Sequence, residues 1–334
     1  MSKRILVFLL ALASVATVIL AAEDGKSGVT VTVNEAAQRV DVAIDGQPFT
    51  SYLWAGNFKK PVLFPIRSAK GTVVTRGYPI EARAGEDKDH PHHIGQWLNY
   101  GDVNGVDFWG NSAALPPERA KNEGSVVHRS IKKAENGKDK GVLEVTADWV
   151  MPDGSTVLRE ESRYIFRKAP NARIIDRVTT LTAGDQKVIF GDTKEGMFAL
   201  RVARSLQHPP KGKSDPVSTG MYLSSEGKTG DDVWGTRGRW MILTGAVESE
   251  PLTLAIFDHP KNPGFPTYWH ARGYGLFAAN PFGQKDFTGG KEEMKFTLGP
   301  RQSTTFRYRT SVVSGTATAD QAEAEYKKFI QEIK

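Results

Sequence analysis

Three of the chain's seven histidines fall within four residues, at His90, His92 and His93, and carboxylates flank them at Glu86, Asp87 and Asp89. Core packing does not call for that composition. An imidazole changes charge near neutral pH, and a carboxylate beside it can orient it, so the segment holds the groups that proton transfer needs. Pro91 fixes its own φ and pushes His90 out of the helical region. That predicts an extended segment with His90 and His92 on one side and His93 on the other. Two imidazoles pointing the same way could, with a distant His or Glu, form a facial site for a divalent metal such as Zn, Mn, Ni or Fe. A solvated loop with one hydrogen-bonded structural histidine is the bland alternative.

Polar and aromatic groups are bunched at three further places. Directly after the histidines come Gln96, Trp97, Asn99, Tyr100, Asp102, Asp107, Phe108 and Trp109, with Asn104-Gly105 as a hairpin turn between them. Asp102 and Asn104 faintly evoke a calcium loop, but the glycine comes too early and the hairpin accounts for them. A second cluster, Gly191 to Gly196, brings Asp192, Thr193, Lys194 and Glu195 to a strand entrance ahead of Arg201. The third runs from Asp258 and His259 to Trp269, His270 and Arg272, and Asn280 follows. Sugars offer apolar CH faces to aromatic rings and hydroxyls to planar polar groups, so these clusters have the composition of a sugar or polyol site. Trp97, Asn99, Asp102, Asp107, Trp109, Lys194, Arg201, Trp269, Arg272 and Asn280 are the candidate substrate contacts. Against this, Glu195 could simply pair with Lys194 or Arg201 on the surface, and His259 and His270 could be satisfied core histidines.

The inventory narrows the chemistry. There is no cysteine, no Gly-x-Ser-x-Gly elbow and no Gly-x-Gly-x-x-Gly after a strand, so acyl transfer and dinucleotide redox chemistry lack support. Histidine with carboxylate suits anomer interconversion, epimerisation and β-elimination on sugars. A formal charge of +6 is dispersed, without the basic blocks of a nucleic-acid binder. A mild positive excess favours an anionic small substrate over a neutral one.

The elements that must position these groups are strands. Valines alternate from Val29 to Val33 and again from Val40 to Ile44, and some fifteen such segments recur to Val313 with no helical pattern between them. Hence the expectation of an all-β fold, a large antiparallel β-sandwich forming a single domain over residues 23–334. One helix is predicted over 318–333, where Thr318 and Gln321 make a capping box and Ala322, Tyr326, Phe329, Ile330 and Ile333 share a face that would serve as lid or brace. Residues 1–22 read as a cleaved secretory signal: Lys3 and Arg4, an apolar run to Leu20, then small residues. An uncleaved anchor is the competing reading. Export without cysteine leaves no disulfide framework, and no second apolar run follows that could cross a membrane.

The runs DHPHHIGQWLNYGDVNGVDFWG, GDTKEGMFALRVA, IFDHPKNPGFPTYWHARGYGLFAANPFG and KPVLFPIRSAKGTVVTRGYP together resemble the bacterial DUF6807 family, also labelled PmoA, from about Lys60 to Val313. A methane monooxygenase subunit, which that label suggests, spans the membrane, and the missing apolar runs rule the role out here. The resemblance implies a fold similar to the galactose-mutarotase-like supersandwich and a carbohydrate as small-molecule partner. It also implies His90, His92, His93 and His270 as acid candidates with Glu195 as base. A non-catalytic carbohydrate-binding protein on the same scaffold is the alternative.

Overall fold

The structure, a computed structural model, describes residues 27–209 and 215–334. The expected signal segment lies outside the described residues. Two eight-stranded sheets, antiparallel throughout, hold all but two of the described strands. The first runs from edge to edge through Val29–Asn34, Arg39–Ile44, Gln47–Leu53, Val62–Leu63, Gln96–Leu98, Phe198–Arg201, Leu276–Asn280 and Tyr268–Arg272. The second runs through Met221–Ser224, Trp240–Val247, Glu250–Asp258, Ser303–Ser314, Ala172–Ala183, Thr156–Ala169, Lys140–Val150 and Ser125–Glu135. A two-stranded ribbon pairs Val188–Phe190 with Phe296–Leu298.

Alternation decides what each sheet buries. Val40, Val42, Phe198, Leu200, Trp269 and Phe277 of the first sheet meet Leu143, Tyr164, Phe166, Ile256, Phe306 and Tyr308 of the second in one continuous core. Residues between them in sequence face outward. Each outer face is partly covered. On the second sheet, Ile165, Trp240, Ile242 and Phe257 are covered by Ala322, Tyr326 and Phe329 of the C-terminal helix Ala319–Glu332 and by Ile333 just after it. That helix begins at the capping box read from Thr318 and Gln321. It is a brace rather than a lid, because the histidine cluster lies on the outer face of the other sheet.

His259 belongs to this brace, its Nε2 lying 2.9 Å from the Ile333 carbonyl at the helix end. Asn104 and Gly105 both have positive φ, as the predicted turn requires. The arms of that hairpin are shorter than expected: Gln96–Leu98 is a strand, while Val103 and Val106 form a single bridge. None of the described helices is long and apolar enough to cross a membrane.

Candidate functional site

Four adjoining strands of the first sheet place Trp97, Ala199, Ala278 and His270 directly opposite one another, so the four share the outer face. The next row on that face holds Arg201, Leu276 and Arg272. Two alanines between Trp97 and His270 leave room, and Trp109 fills part of it. A Cβ on Gly196 would stand 2.8 Å from both the Trp109 ring and the Ala278 methyl, so only glycine fits beneath that indole. His93 then lies over the pair, its ring 5.3 Å from Trp97 and 5.7 Å from Trp109.

The histidine segment is a turn, which overturns the extended reading. The His93 amide donates to the His90 carbonyl at 2.9 Å, with Pro91 at the second position that its fixed φ favours. His90 takes φ +42°, a region that non-glycine residues seldom occupy and that is enriched at functional sites. Closing the turn brings all three rings together. His90 and His93 lie parallel 4.8 Å apart, Tyr274 is parallel to His90 at 5.0 Å, and His92 stands edge-on to His93.

Arg76 holds the turn in this shape. Fully buried, its guanidinium donates to the carbonyls of Asp87 (3.3 Å), Asp89 (2.8 Å), His90 (2.9 Å) and His93 (3.0 Å), and to Asp89 Oδ1 (2.6 Å). Burial, with Arg201 nearby, lowers its pKa to about 10. Arg201, also buried, donates to the same Asp89 oxygen at 2.7 Å. Beneath the turn Lys60 donates to the His92 carbonyl at 2.7 Å, and burial lowers its pKa to about 7.

These contacts fix the proton positions. A guanidinium can only donate, so His93 Nδ1, 3.2 Å from Arg201, is the acceptor and Nε2 carries the hydrogen. That buried Nε2–H has no partner among the described residues. Burial and the surrounding positive charge hold His93 neutral, and desolvation with Lys60 and His90 lowers His92 to about 3. His270 donates from Nδ1 to the Lys194 carbonyl, leaving Nε2 with the lone pair; burial lowers its pKa to about 4. His90 is the exposed ring of the cluster. It donates from Nδ1 to Asp89 Oδ2 at 2.5 Å, and its side chain is 41% exposed. Burial opposes ionisation of Asp89, yet the bond from His90 and the charges of Arg201 and Arg76 hold its pKa well below the usual carboxylate range.

A cleft of about 560 Å³ is lined by His90, His92, His93, Asp107, Arg119, Lys194, Glu195, Trp234, His270, Arg272 and Tyr274, a volume within the roughly 300–1,000 Å³ of small-molecule sites. The segments around 90, 195 and 270 therefore border one space. Burial raises the pKa of Glu195, and the charge of Asp107 adds to the rise. Asp107 is itself raised by burial, although the Trp109 and Gly110 amides donate to its Oδ1 at 2.7 and 3.0 Å. The loop bearing Lys194 and Glu195 is tied down by the Asn280 amide, which donates to the Thr193 carbonyl at 2.7 Å, and by the Tyr100 hydroxyl, which donates to the Gly191 carbonyl at 2.8 Å. A second lobe of about 570 Å³ shares Trp234, Arg272 and Tyr274 with the first.

Several expected substrate contacts stand behind the wall instead. Trp97, Asn99, Trp109, Arg201 and Asn280 are buried and line neither lobe, and they support the residues that do. Trp269 alternates with His270 and points into the core between the sheets. Asp102 accepts the Gly105 amide at 2.8 Å in the hairpin turn. The pairing of His90 and His92 as metal ligands finds no third ligand: among the described residues no group of three or more His, Asp and Glu is placed to hold a metal. The buried guanidinium groups of Arg76 and Arg201 beneath the turn also make a poor setting for another cation. Sequence reasoning missed Arg76, Arg119, Trp234 and Tyr274. Only the adjacency of Asp89 and His90 carried a signal for the carboxylate–imidazole pair.

No curated protein matches the sequence. Among solved structures the chain is similar to an α-galactosidase from Geobacillus stearothermophilus, with 11% identity over 85% of this chain and 41% of that one at a TM-score of 0.44. It is also similar to a galactose mutarotase related enzyme from Lactobacillus acidophilus, with 11% identity over 86% of this chain and 98% of that one at a TM-score of 0.31. The chain spans about two fifths of the length of the α-galactosidase chains it matches. The family model that matches, described as a family of unknown function, covers residues 39–327, and the chain thus belongs to the DUF6807 family.

Proposed function

We propose that the protein is a carbohydrate-active enzyme that moves protons on a sugar or sugar derivative, with His90 taking a proton and Glu195 giving one. One observation carries the reading: an exposed imidazole with a fixed tautomer borders the same cleft as a carboxyl whose proton affinity is raised. Asp89 accepts the Nδ1–H of His90, so Nε2 is the nitrogen free to act as base, and the carboxylate favours the imidazolium that forms. Burial keeps a proton on Glu195 to higher pH, which suits the acid. These roles reverse the expectation of a histidine acid and a Glu195 base. His92, His93 and His270, held neutral, bind or orient and do not supply protons. His93 offers an N–H and His270 a lone pair, and the rings of Tyr274 and Trp234 offer faces to a sugar.

Epimerisation, β-elimination and glycosidic hydrolysis all fit this pair. A panel of mono- and disaccharides incubated with the protein in D₂O and followed by NMR distinguishes them. Deuterium at a ring carbon marks epimerisation, a new double bond elimination, and released monosaccharide hydrolysis. His90→Gln should abolish whichever is seen. A non-catalytic sugar-binding role is the second reading, favoured by Trp234, which is 40% exposed at the rim. It holds if saccharides bind and none is changed. We further propose that residues 1–22 direct export and are removed, which the N-terminal sequence of protein recovered from outside the cytoplasm tests.

A further inference from the structure

Behind the histidines that line the cleft lie three buried basic side chains. Lys60, Arg76 and Arg201 are each no more than 2% exposed. Asp89 serves both arginines through one oxygen, and Lys60 has no carboxylate within ion-pair distance among the described residues. Buried positive charge behind the wall favours negative charge in the space in front of it. The same wall has donors to spare. The buried His93 Nε2–H, the indole N–H groups of Trp97 and Trp109, and the Nε–H groups of Arg76 and Arg201 find no acceptor among the described residues. His93, Trp97 and Trp109 pack against one another with centroids 5.2 to 5.7 Å apart, and His93 borders the cleft. Of these donors only the His93 Nε2–H belongs to a residue that borders the cleft, and it is the one suited to a ligand acceptor there. At the rim the Arg272 guanidinium stands 5.0 Å over the Trp234 ring, joins no ion pair or hydrogen bond among the described residues, and borders both lobes.

We infer that the cleft takes an anionic saccharide, and specifically that its ligand is a sugar acid whose carboxylate sits against the histidine floor and Arg272. This rests on the acid–base reading above and gives it a chemical reason. In a uronate the C5–H lies next to the carboxylate. His90 removes that proton, and the electron pair of the C–H bond moves onto the carboxylate as an enolate that the buried cations stabilise. The pair then returns in one of two ways. A proton delivered to the other face of C5 inverts the centre. Alternatively the C4–O4 bond breaks, O4 leaves with its pair and takes a proton from Glu195, and a C4=C5 double bond remains. Neither course needs a further reactant.

The test is calorimetric titration of the wild type and Arg272→Gln with galacturonate, galactose and galactose 6-sulfate. The wild type should bind galacturonate at least about tenfold more tightly than galactose, and Arg272→Gln should cut that ratio about tenfold, the effect of one charge-assisted contact. Equal affinity for acid and neutral sugar, or a ratio unchanged by the substitution, overturns the inference while leaving the acid–base reading intact. Tighter binding of the sulfate ester than of the carboxylate overturns the assignment to a sugar acid. No binding of any saccharide sinks both.

Discussion

Replacing Arg76 tests whether the histidine turn is held from below. Arg76→Met removes a buried guanidinium with five donor contacts, four to carbonyls and one to Asp89. Removing one partner of a buried pair costs about 3–5 kcal/mol. The lower end applies here, because Asp89 is 36% exposed, keeps Arg201, and its loop neighbours Asp87 and Lys88 reach water. Arg76→Lys keeps the charge but has three donors, so at least two acceptors lose their partner, at about 1 kcal/mol each where water can replace it. Urea unfolding followed by tryptophan fluorescence should thus rank wild type above Lys by about 2 kcal/mol and above Met by about 3 kcal/mol. Arg163→Met is the control: its exposed side chain pairs with Glu144 across the second sheet, and the change should cost under about 1 kcal/mol. An Arg76→Met protein within about 1 kcal/mol of wild type would refute the reasoning, since the turn would then hold its shape without the guanidinium.

Burial lowers the His270 pKa to about 4, whereas the unfolded chain titrates near 6.5, so His270 contributes stability that is present above pH 6.5 and lost as pH falls toward 4. The loss is on the order of 3 kcal/mol, and His270→Gln should flatten the pH dependence of the urea midpoint across that window; an unchanged slope contradicts the burial argument. Gly196→Ala should cost about 1–3 kcal/mol and weaken saccharide binding, because its methyl meets Trp109 and Ala278 under the loop bearing Glu195. Unfolding and binding measured on the same variant check both halves. Thr318→Ala should cost about 1 kcal/mol through the lost cap without altering the cleft, which saccharide affinity would confirm. Phe329→Ala, fully buried against the second sheet, should cost about 3–5 kcal/mol in the same unfolding assay.

Local rules made the scaffold legible. Alternating valines became strands, Thr318 and Gln321 became a capping box, and Asn104-Gly105 became the turn its positive φ values permit. The site was legible in its parts and less so in its arrangement. Period-two reasoning failed between His90 and His93 because Pro91 seeds a turn there, and a turn puts three rings together where a strand would separate them. Trp269 and His270 are neighbours in sequence, and nothing in composition says which of the two faces the core; the pairing of His270 with Ala278 decides it. Arg76 sits among Thr75, Gly77 and Tyr78 without any local sign of its role. Its partners lie eleven to seventeen residues away, and only the folded loop brings them to it. Tyr274 and Trp234 likewise gain meaning from the segments that meet around them.

The central claim is that His90 and Glu195 act as one proton-transfer pair on a bound saccharide. A double-mutant cycle on turnover of the saccharide identified by the D₂O panel tests it most directly, using His90→Gln, Glu195→Gln and both together. The account predicts that each single change lowers kcat by about 10²- to 10⁴-fold while affinity stays within a few fold, and that the double variant is little worse than the weaker single. Single variants that turn over at the wild-type rate, or losses that multiply as if the two residues acted independently, would contradict it.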